Sequence, residues 1–351
     1  MAAINLATRY EAKIVEKFFS ESFLVGKTNQ DFDFHGVKSI TLNTPKTQPL
    51  NNYNRAATAD RFGTPTEMED TIQELTLSQD KSYSITIDKG NLSDQLYIKE
   101  AGKMVALQLR EQVVPTIDKY GLSVFVKKAG KVFGSAAPTK ANIVGLIADA
   151  LTELDNNEVP DEGRFIVIGA TNYNLLRLST EVLAADPLAV KALGRGVVGE
   201  FMGVPIIKVP ASYLGTAYFL VYHKGSVTLV QKLKSMNLHT KAPGIDGAKL
   251  EGRHYYDAFV YGTKSGGVYA SVPSAEVQTV VTITPTGASH ALTSASATGI
   301  KYTVDGTDPR YSPTAVVYSS AVTLTSGQTI KAYAYRTSYF DSAVTSALYT
   351  A

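Results

Sequence analysis

The feature that most constrains this chain is a seam near Pro273, where residue usage changes character. Before the seam, helical and strand periodicities alternate and carry nearly all the charge. After it, Ser and Thr fill about a third of the positions, charges are sparse, and turn residues break short apolar alternations. One core cannot serve both patterns. At 351 residues the chain has room for two or three cores. A large α+β body followed by a small all-β module over residues 274–351 is therefore expected.

Composition removes several function classes. A formal net charge of +2 argues against a surface that grips nucleic acid by bulk phosphate neutralisation. The absence of cysteine excludes disulfides and thiolate metal sites. The five histidines, His35, His223, His239, His254 and His290, show no ligand spacing. No basic region followed by a long apolar run opens the chain, and no stretch nears the ~20 apolar residues of a membrane span. The expectation is a protein made in a cytoplasm, with no membrane partner.

Catalytic signatures are missing too. There is no Gly-x-Ser-x-Gly elbow, no P-loop and no His-Glu-x-x-His. Gly194-Arg-Gly196-Val-Val-Gly199 spells a dinucleotide fingerprint, but the motif needs a strand before it and a helix after it, and its flanks read the other way round. A glycine loop is the better account. Asp305 and Asp308 are weak candidates for a hard cation, outweighed by the hairpin chemistry of Asp-Gly and Asp-Pro. Glu67, Glu69, Asp70 and Glu74 form an acidic run without a companion base, which suits a solvated or partner-facing surface. No catalytic residue, cofactor or metal is expected.

Along the body, Ile14, Val15, Phe18 and Phe19 predict an amphipathic helix within residues 4–24. The period then falls to two: Ile40 and Leu42, Leu75 and Leu77, and Tyr83, Ile85 and Ile87 alternate as strands do. Between them lies a polar stretch, residues 43–70, punctuated by Pro45, Pro49, Gly63 and Pro65. Structureless connections of that length are uncommon inside a compact domain. The stretch reads as an extended hairpin arm that a neighbour orders. A long helix follows, capped by Ser93, with a stripe of Val105, Leu109, Val113, Ile117, Tyr120 and Val124. Pro115 should bend it. A helix over 140–156, a buried strand at 164–169, a helix over 173–183 and strands at 204–209, 217–222 and 225–233 come next. After the seam, strands at 277–284, 300–304, 316–324, 329–335 and 344–349 suit a small sandwich.

Five segments, in this order, carry a resemblance. They are Leu75-Thr-Leu-Ser-Gln-Asp-Lys-Ser-Tyr-Ser-Ile-Thr-Ile-Asp88, Arg110-Glu-Gln-Val-Val-Pro-Thr-Ile-Asp118-Lys-Tyr120, Val159-Pro-Asp-Glu-Gly-Arg-Phe-Ile-Val-Ile168, Gly199-Glu-Phe-Met-Gly-Val-Pro-Ile-Ile-Lys-Val-Pro210, and the run from Arg253 to Tyr269. Together they resemble tailed-phage major capsid proteins of the HK97 type, over about residues 10–271. Ile300-Lys-Tyr-Thr-Val-Asp-Gly-Thr-Asp-Pro309 and Thr329-Ile-Lys-Ala-Tyr-Ala-Tyr335 resemble the Ig-like C-terminal module of chitobiases and hexosaminidases.

The resemblance implies an N-terminal arm at 1–36 and an extended loop with flanking strands at 37–90. It implies a peripheral domain with a spine helix at 91–139, an axial domain at 140–252, a return at 253–273, and an Ig-like sandwich at 274–351 displayed outside. The assembly residues would be Asn43, Lys46, Tyr53, Arg55 and Asp70 in the loop, and Val105, Leu109, Pro115, Asp118 and Tyr120 in the helix. Hexamers and pentamers would close into an icosahedral virion capsid, built in the host cytoplasm. The shell would hold double-stranded DNA without sequence-specific contacts, with portal and scaffolding or maturation proteins as partners. Cross-linking between Lys and Asn occurs in part of this family, but nothing local distinguishes Lys46 from a solvated lysine. A glycan or cell-surface contact stays open to the module. With no Trp in the chain, Tyr311, Tyr318, Tyr333, Tyr335 and Tyr339 would have to supply its stacking platform. Two alternatives stand: an encapsulin-type compartment sharing the fold, and a carbohydrate-active enzyme, which would need a signal peptide and paired carboxylates.

Overall fold

Strand alternation begins with a two-stranded ribbon. In a computed structural model of the chain, β1 (Ser39–Pro45) pairs antiparallel with β2 (Asp70–Thr76), from Ser39 opposite Thr76 to Pro45 opposite Asp70. The structure describes residues 22–32, 38–48, 50–56, 58–65, 67–89, 101–179, 199–239, 244 and 246–350. Most of the helix expected within 4–24, the Ser93 cap and the glycine loop at 194–198 lie outside them. After a break at 77–78, β3 (Gln79–Asp88) leaves the ribbon and joins another sheet.

The long helix is interrupted where Pro115 demanded it. It runs as α1 (Ala101–Gln108), a π-helical turn over Leu109–Val113, and α2 (Val114–Lys127). Proline has no N–H to give and its ring crowds the carbonyl four residues back, so a widened turn ahead of it relieves both demands. The Thr116 hydroxyl donates to the Gln112 carbonyl at 2.6 Å across the irregularity. The π turn also corrects the expected stripe. It inserts one residue, so a 3.6 period counted from Val105 falls one position short beyond it. Ile117 is buried as expected, Asp118, Gly121, Leu122, Phe125 and Val126 are buried beside it, and Val105, Leu109, Val113, Tyr120 and Val124 are half-buried.

The elements β4 (Lys131–Ser135), α3 (Ile143–Asn156), β5 (Arg164–Gly169), α4 (Ala170–Arg177), β6 (Glu200–Phe201), β7 (Val204–Val209), α5 (Ala211–Leu214) and β8 (Phe219–His223) follow. Then come two long strands, β9 (Val227–His239) and β10 (Gly247–Val260), and β11 (Val268–Pro273). A six-stranded sheet runs in the order β4-β11-β8-β5-β7-β6. It mixes parallel pairs (β4 with β11, β5 with β7) with antiparallel ones around β8. Its strands bury both faces, as the uninterrupted apolar run at 165–168 requires. Val167, Leu220 and Tyr222 face α2, packing with Leu122, Phe125 and Val126. Ile166, Ile168, Phe219 and Val221 face α3 and α4, packing with Ile143, Ile147 and Leu176.

Strands β3, β10 and β9 form a separate three-stranded sheet. The expected boundary at 252/253 therefore falls inside one continuous strand, β10. Likewise β4 and β11, expected outside the 140–252 unit, complete its sheet. Periodicity locates strands; it does not say which sheet each one joins.

Beyond the seam, β12 (Thr282–Thr286), β13 (Ser289–Thr293) and β16 (Val322–Thr323) form one sheet. The other runs β15 (Val316–Val317), β14 (Gly299–Thr303), β17 (Thr329–Tyr335), β18 (Thr345–Leu348). Val281, Leu292, Ile300, Leu324, Ile330 and Ala332 are buried between them. The single strand expected at 316–324 is in fact two short pieces that belong to opposite sheets. β13 was not expected at all. It turns back from β12 around Gly287, whose φ of 60° suits glycine in a tight hairpin.

Candidate assembly surface

The ribbon has a fixed root and an exposed end. At the root, Leu75 and Leu77 are fully buried against Val230 and Tyr261, with Ile40 and Leu42 alongside. The Gln73 amide donates to the Val260 carbonyl at 3.0 Å and accepts from the Gly262 N–H at 2.8 Å. Asp257, buried in β10, accepts from the Ser78 N–H at the break after β2 and from the Tyr120 hydroxyl, each at 2.7 Å. Tyr120 thus ties the long helix to the root of the ribbon.

Past Pro45 and Asp70 the loop folds upon itself. Lys46 and Glu69 pair through their backbones at 2.7 Å and their side chains at 2.8 Å. Tyr53 meets Phe62 edge-on with centroids 4.9 Å apart, and the Asn54 N–H donates to the Arg61 carbonyl at 2.9 Å. Among the described residues nothing covers its outer side chains: Leu50 is 101%, Phe62 82% and Met68 71% exposed. Arg55 is exposed as well, and Asn43 and Asp70 lie on the ribbon itself, opposite Ile72 and Pro45. Monomeric surfaces rarely hold out contiguous apolar side chains in this way.

Asp118 anchors the N-terminal segment. Its buried carboxylate accepts from the Phe23 N–H at 2.7 Å and the Ser22 hydroxyl at 2.8 Å. Burial pushes this carboxyl above its ordinary value, against the pull of those donors and of Lys27. Leu24 sits in the core beside Gly121, and Asn29 bridges to Thr228 of β9. Replacing Asp118 with Ala strands the Phe23 N–H and should cost about 1.5–3 kcal/mol. The expected readout is faster proteolysis within residues 22–30 and a lower denaturant midpoint.

His254 lies in β10 between Lys81 and Lys234 on the adjacent strands, stacked on Tyr83 at 6.1 Å. Burial, then the Lys234 charge, holds its pKa below the ordinary 6.5. The folded state thus binds this proton less tightly than the unfolded chain, and stability falls as pH drops from about 6.5 through the depressed value. His223, also depressed by burial, acts in the same direction. Urea midpoints at pH 7.5 and about 5.5 should show that loss, and His254→Gln should reduce it without removing it.

The C-terminal module docks on the body through polar groups. Arg310 pairs with Asp308 at 2.7 Å and donates to the carbonyls of Ala129 and Gly130 at 3.2 and 2.9 Å. The Tyr311 hydroxyl donates to the Lys128 carbonyl at 2.6 Å, and burial raises its pKa to about 12. Tyr311 and Phe340 pack against the body's own core.

Structural comparison now places the architecture. A chain of Mycobacterium phage Che8 superposes with a TM-score of 0.65 at 18% identity, over 77% of this chain and 98% of its own. A chain from the capsid structure of cyanophage P-SCSP1u gives 0.63 at 15%, over 77% and 93%. One from the mature capsid of bacteriophage PhiM1 gives 0.61 at 14%, over 77% and 92%. The fold is that of phage capsid chains. Each match leaves just under a quarter of this chain uncovered, a share the size of the C-terminal module. Residues 291–349 match a family described as Fn3 associated, compatible with the Ig-like reading. No curated protein matches the sequence.

Asp305 and Asp308, the weak cation candidates, are both engaged by neighbouring groups. Asp305 accepts from the Thr307 N–H and hydroxyl and from the Thr314 hydroxyl, while Asp308 is committed to Arg310. Among the described residues no group of three or more His, Cys, Asp or Glu could hold a metal. Of the five tyrosines, Tyr311 is in the body–module seam, Tyr333 is buried, Tyr339 is capped by Arg336 at 4.1 Å, and Tyr318 and Tyr335 are half-buried. Asp257, Gln73 and Arg310 hold positions that no sequence motif marks. A lone carboxylate within Tyr-Tyr-Asp-Ala-Phe-Val was the available signal for the first, since a charge on a buried strand must be partnered. Among the described residues no helix is long and apolar enough to cross a membrane.

Proposed function

We propose that this chain is a structural, non-enzymatic major capsid protein of a tailed phage, of the HK97 type. Copies assemble through hexamers and pentamers into an icosahedral shell around double-stranded DNA, inside the bacterial host. In this reading residues 43–70 are the extended loop, the α1–π–α2 helix is the spine, and the Ig-like module faces outward. One observation carries the reading: the matched phage chains are covered over 92–98% of their own length. The rooted ribbon with its uncovered tip supports it, since such an arm stabilises little within its own subunit. Multivalent repetition then turns weak contacts into a durable shell. Electron microscopy of the purified, expressed protein tests it. Closed icosahedral particles are expected; a monodisperse monomer at high concentration would overturn it.

A further inference from the structure

Two clefts flank the root of the ribbon. One, of about 670 Å³, separates both ribbon strands, over Ile40–Thr44 and Thr71–Gln73, from Ser312 and Lys331 of the C-terminal module. The other, of about 320 Å³, lies between Gln73, Glu74 and Leu75 and the C-terminal end of α2, where Lys127 and Lys128 line it. Among the described residues only Gln73 of the ribbon and Tyr311 of the module line both clefts. These two side chains are therefore the partition between them. Gly262 joins the pair. Its N–H donates to the Gln73 side chain at 2.8 Å, and a Cβ added to it would stand 2.8 Å from the Tyr311 Cβ. No larger residue fits there, so Tyr311 bears directly on the backbone that holds the ribbon.

We infer that the module has a function inside its own subunit: its loop at 308–312 braces the ribbon, and Tyr311 sets the angle at which the ribbon leaves the body. A two-stranded ribbon is marginal by itself and needs outside support to hold a direction. The buried root, Leu75 and Leu77, fixes where the ribbon starts. With an open cleft on either side, its direction falls to the pillar of Gln73, Gly262 and Tyr311. Gln73 grips the body at two points, since its amide also donates to the Val260 carbonyl at 3.0 Å. Tyr311 is held in turn by its hydroxyl, which donates to the Lys128 carbonyl just past α2 at 2.6 Å. Tyr311 is thus a positioning residue that acts on the ribbon through Gly262.

The chain has no cysteine, so two introduced ones carry spin labels without competition. Asp70→Cys puts one at the exposed start of β2, and Thr152→Cys puts the other on the exposed face of α3. Labelled full-length chain is diluted into excess unlabelled chain, so dipolar spectroscopy reads distances within one subunit only. Both readouts therefore stand whether or not closed particles form. The parent should give one narrow distance. Tyr311→Ala should broaden it and speed hydrogen exchange of the β1–β2 pairing amides about tenfold, the effect of losing one hydrogen bond's worth of restraint. Gly262→Ala should do the same from the body side by pushing Tyr311 away, with every module residue retained. Exchange in α3 and β5 should stay at the parent's rate in both variants. A narrow, unshifted distance with parental ribbon exchange in either variant overturns the brace and leaves the ribbon to its own root. An acceleration spread equally over α3 and β5 overturns it as well.

Discussion

Removing residues 46–69 and closing β1 to β2 with an Asn-Gly turn should leave a folded subunit that forms no shells. Pro45 opposite Asp70 is the last register pair, so a two-residue turn can close the ribbon there. The root survives because its contacts lie below the cut: Leu75, Leu77, Gln73 and the Asp257–Ser78 bond all remain. What disappears is the exposed set Leu50, Tyr53, Phe62 and Met68. Burying one such side chain is worth about 1.5–3 kcal/mol, so losing even two from each contact weakens it by at least about a hundredfold. An assembly repeats that loss at every copy. Circular dichroism should match the parent while electron microscopy shows no particles. Intact particles from the deletion would mean that assembly runs through other surfaces.

The secondary structure was largely legible because its signals are local. The run Phe165-Ile-Val-Ile168 announced a strand buried on both faces, and residues 43–70 announced an arm between two strands. What escaped was set by contacts distant in sequence. The helix stripe slipped by one residue because the π turn before Pro115 reset its phase. Strand partners escaped because β4 and β11, over 130 residues apart, meet only in the folded sheet. The acidic residue at position 118 was noticed, yet its partners, Ser22 and Phe23, lie nearly a hundred positions away. The module was recognised as separate in composition, and nothing in that composition announced that Arg310 would bind it to the body.

Replacing Arg310 with Ala should undock the module. Its side chain is only 10% exposed, and it satisfies Asp308 and two backbone carbonyls at once. Truncation removes the two charge-assisted bonds to the body, worth about 1.5–3 kcal/mol each, and leaves Asp308 only the N–H of residue 310 as a donor from that position. The neighbouring contacts cannot compensate. Tyr311 offers one hydrogen bond, and Lys128 approaches Asp341 only at 4.0 Å. The module keeps its own core of Leu292, Ile300, Leu324 and Ile330, so it should stay folded while separating. Calorimetry should resolve one transition into two, and protease should cut near residues 274–281. The double variant Arg310→Ala with Asp308→Ala should cost less than the sum of the single changes, because the second removes the charge that the first leaves unpaired. A single transition and an unchanged cleavage pattern in Arg310→Ala would place the docking energy in the apolar contacts of Tyr311 and Phe340 instead.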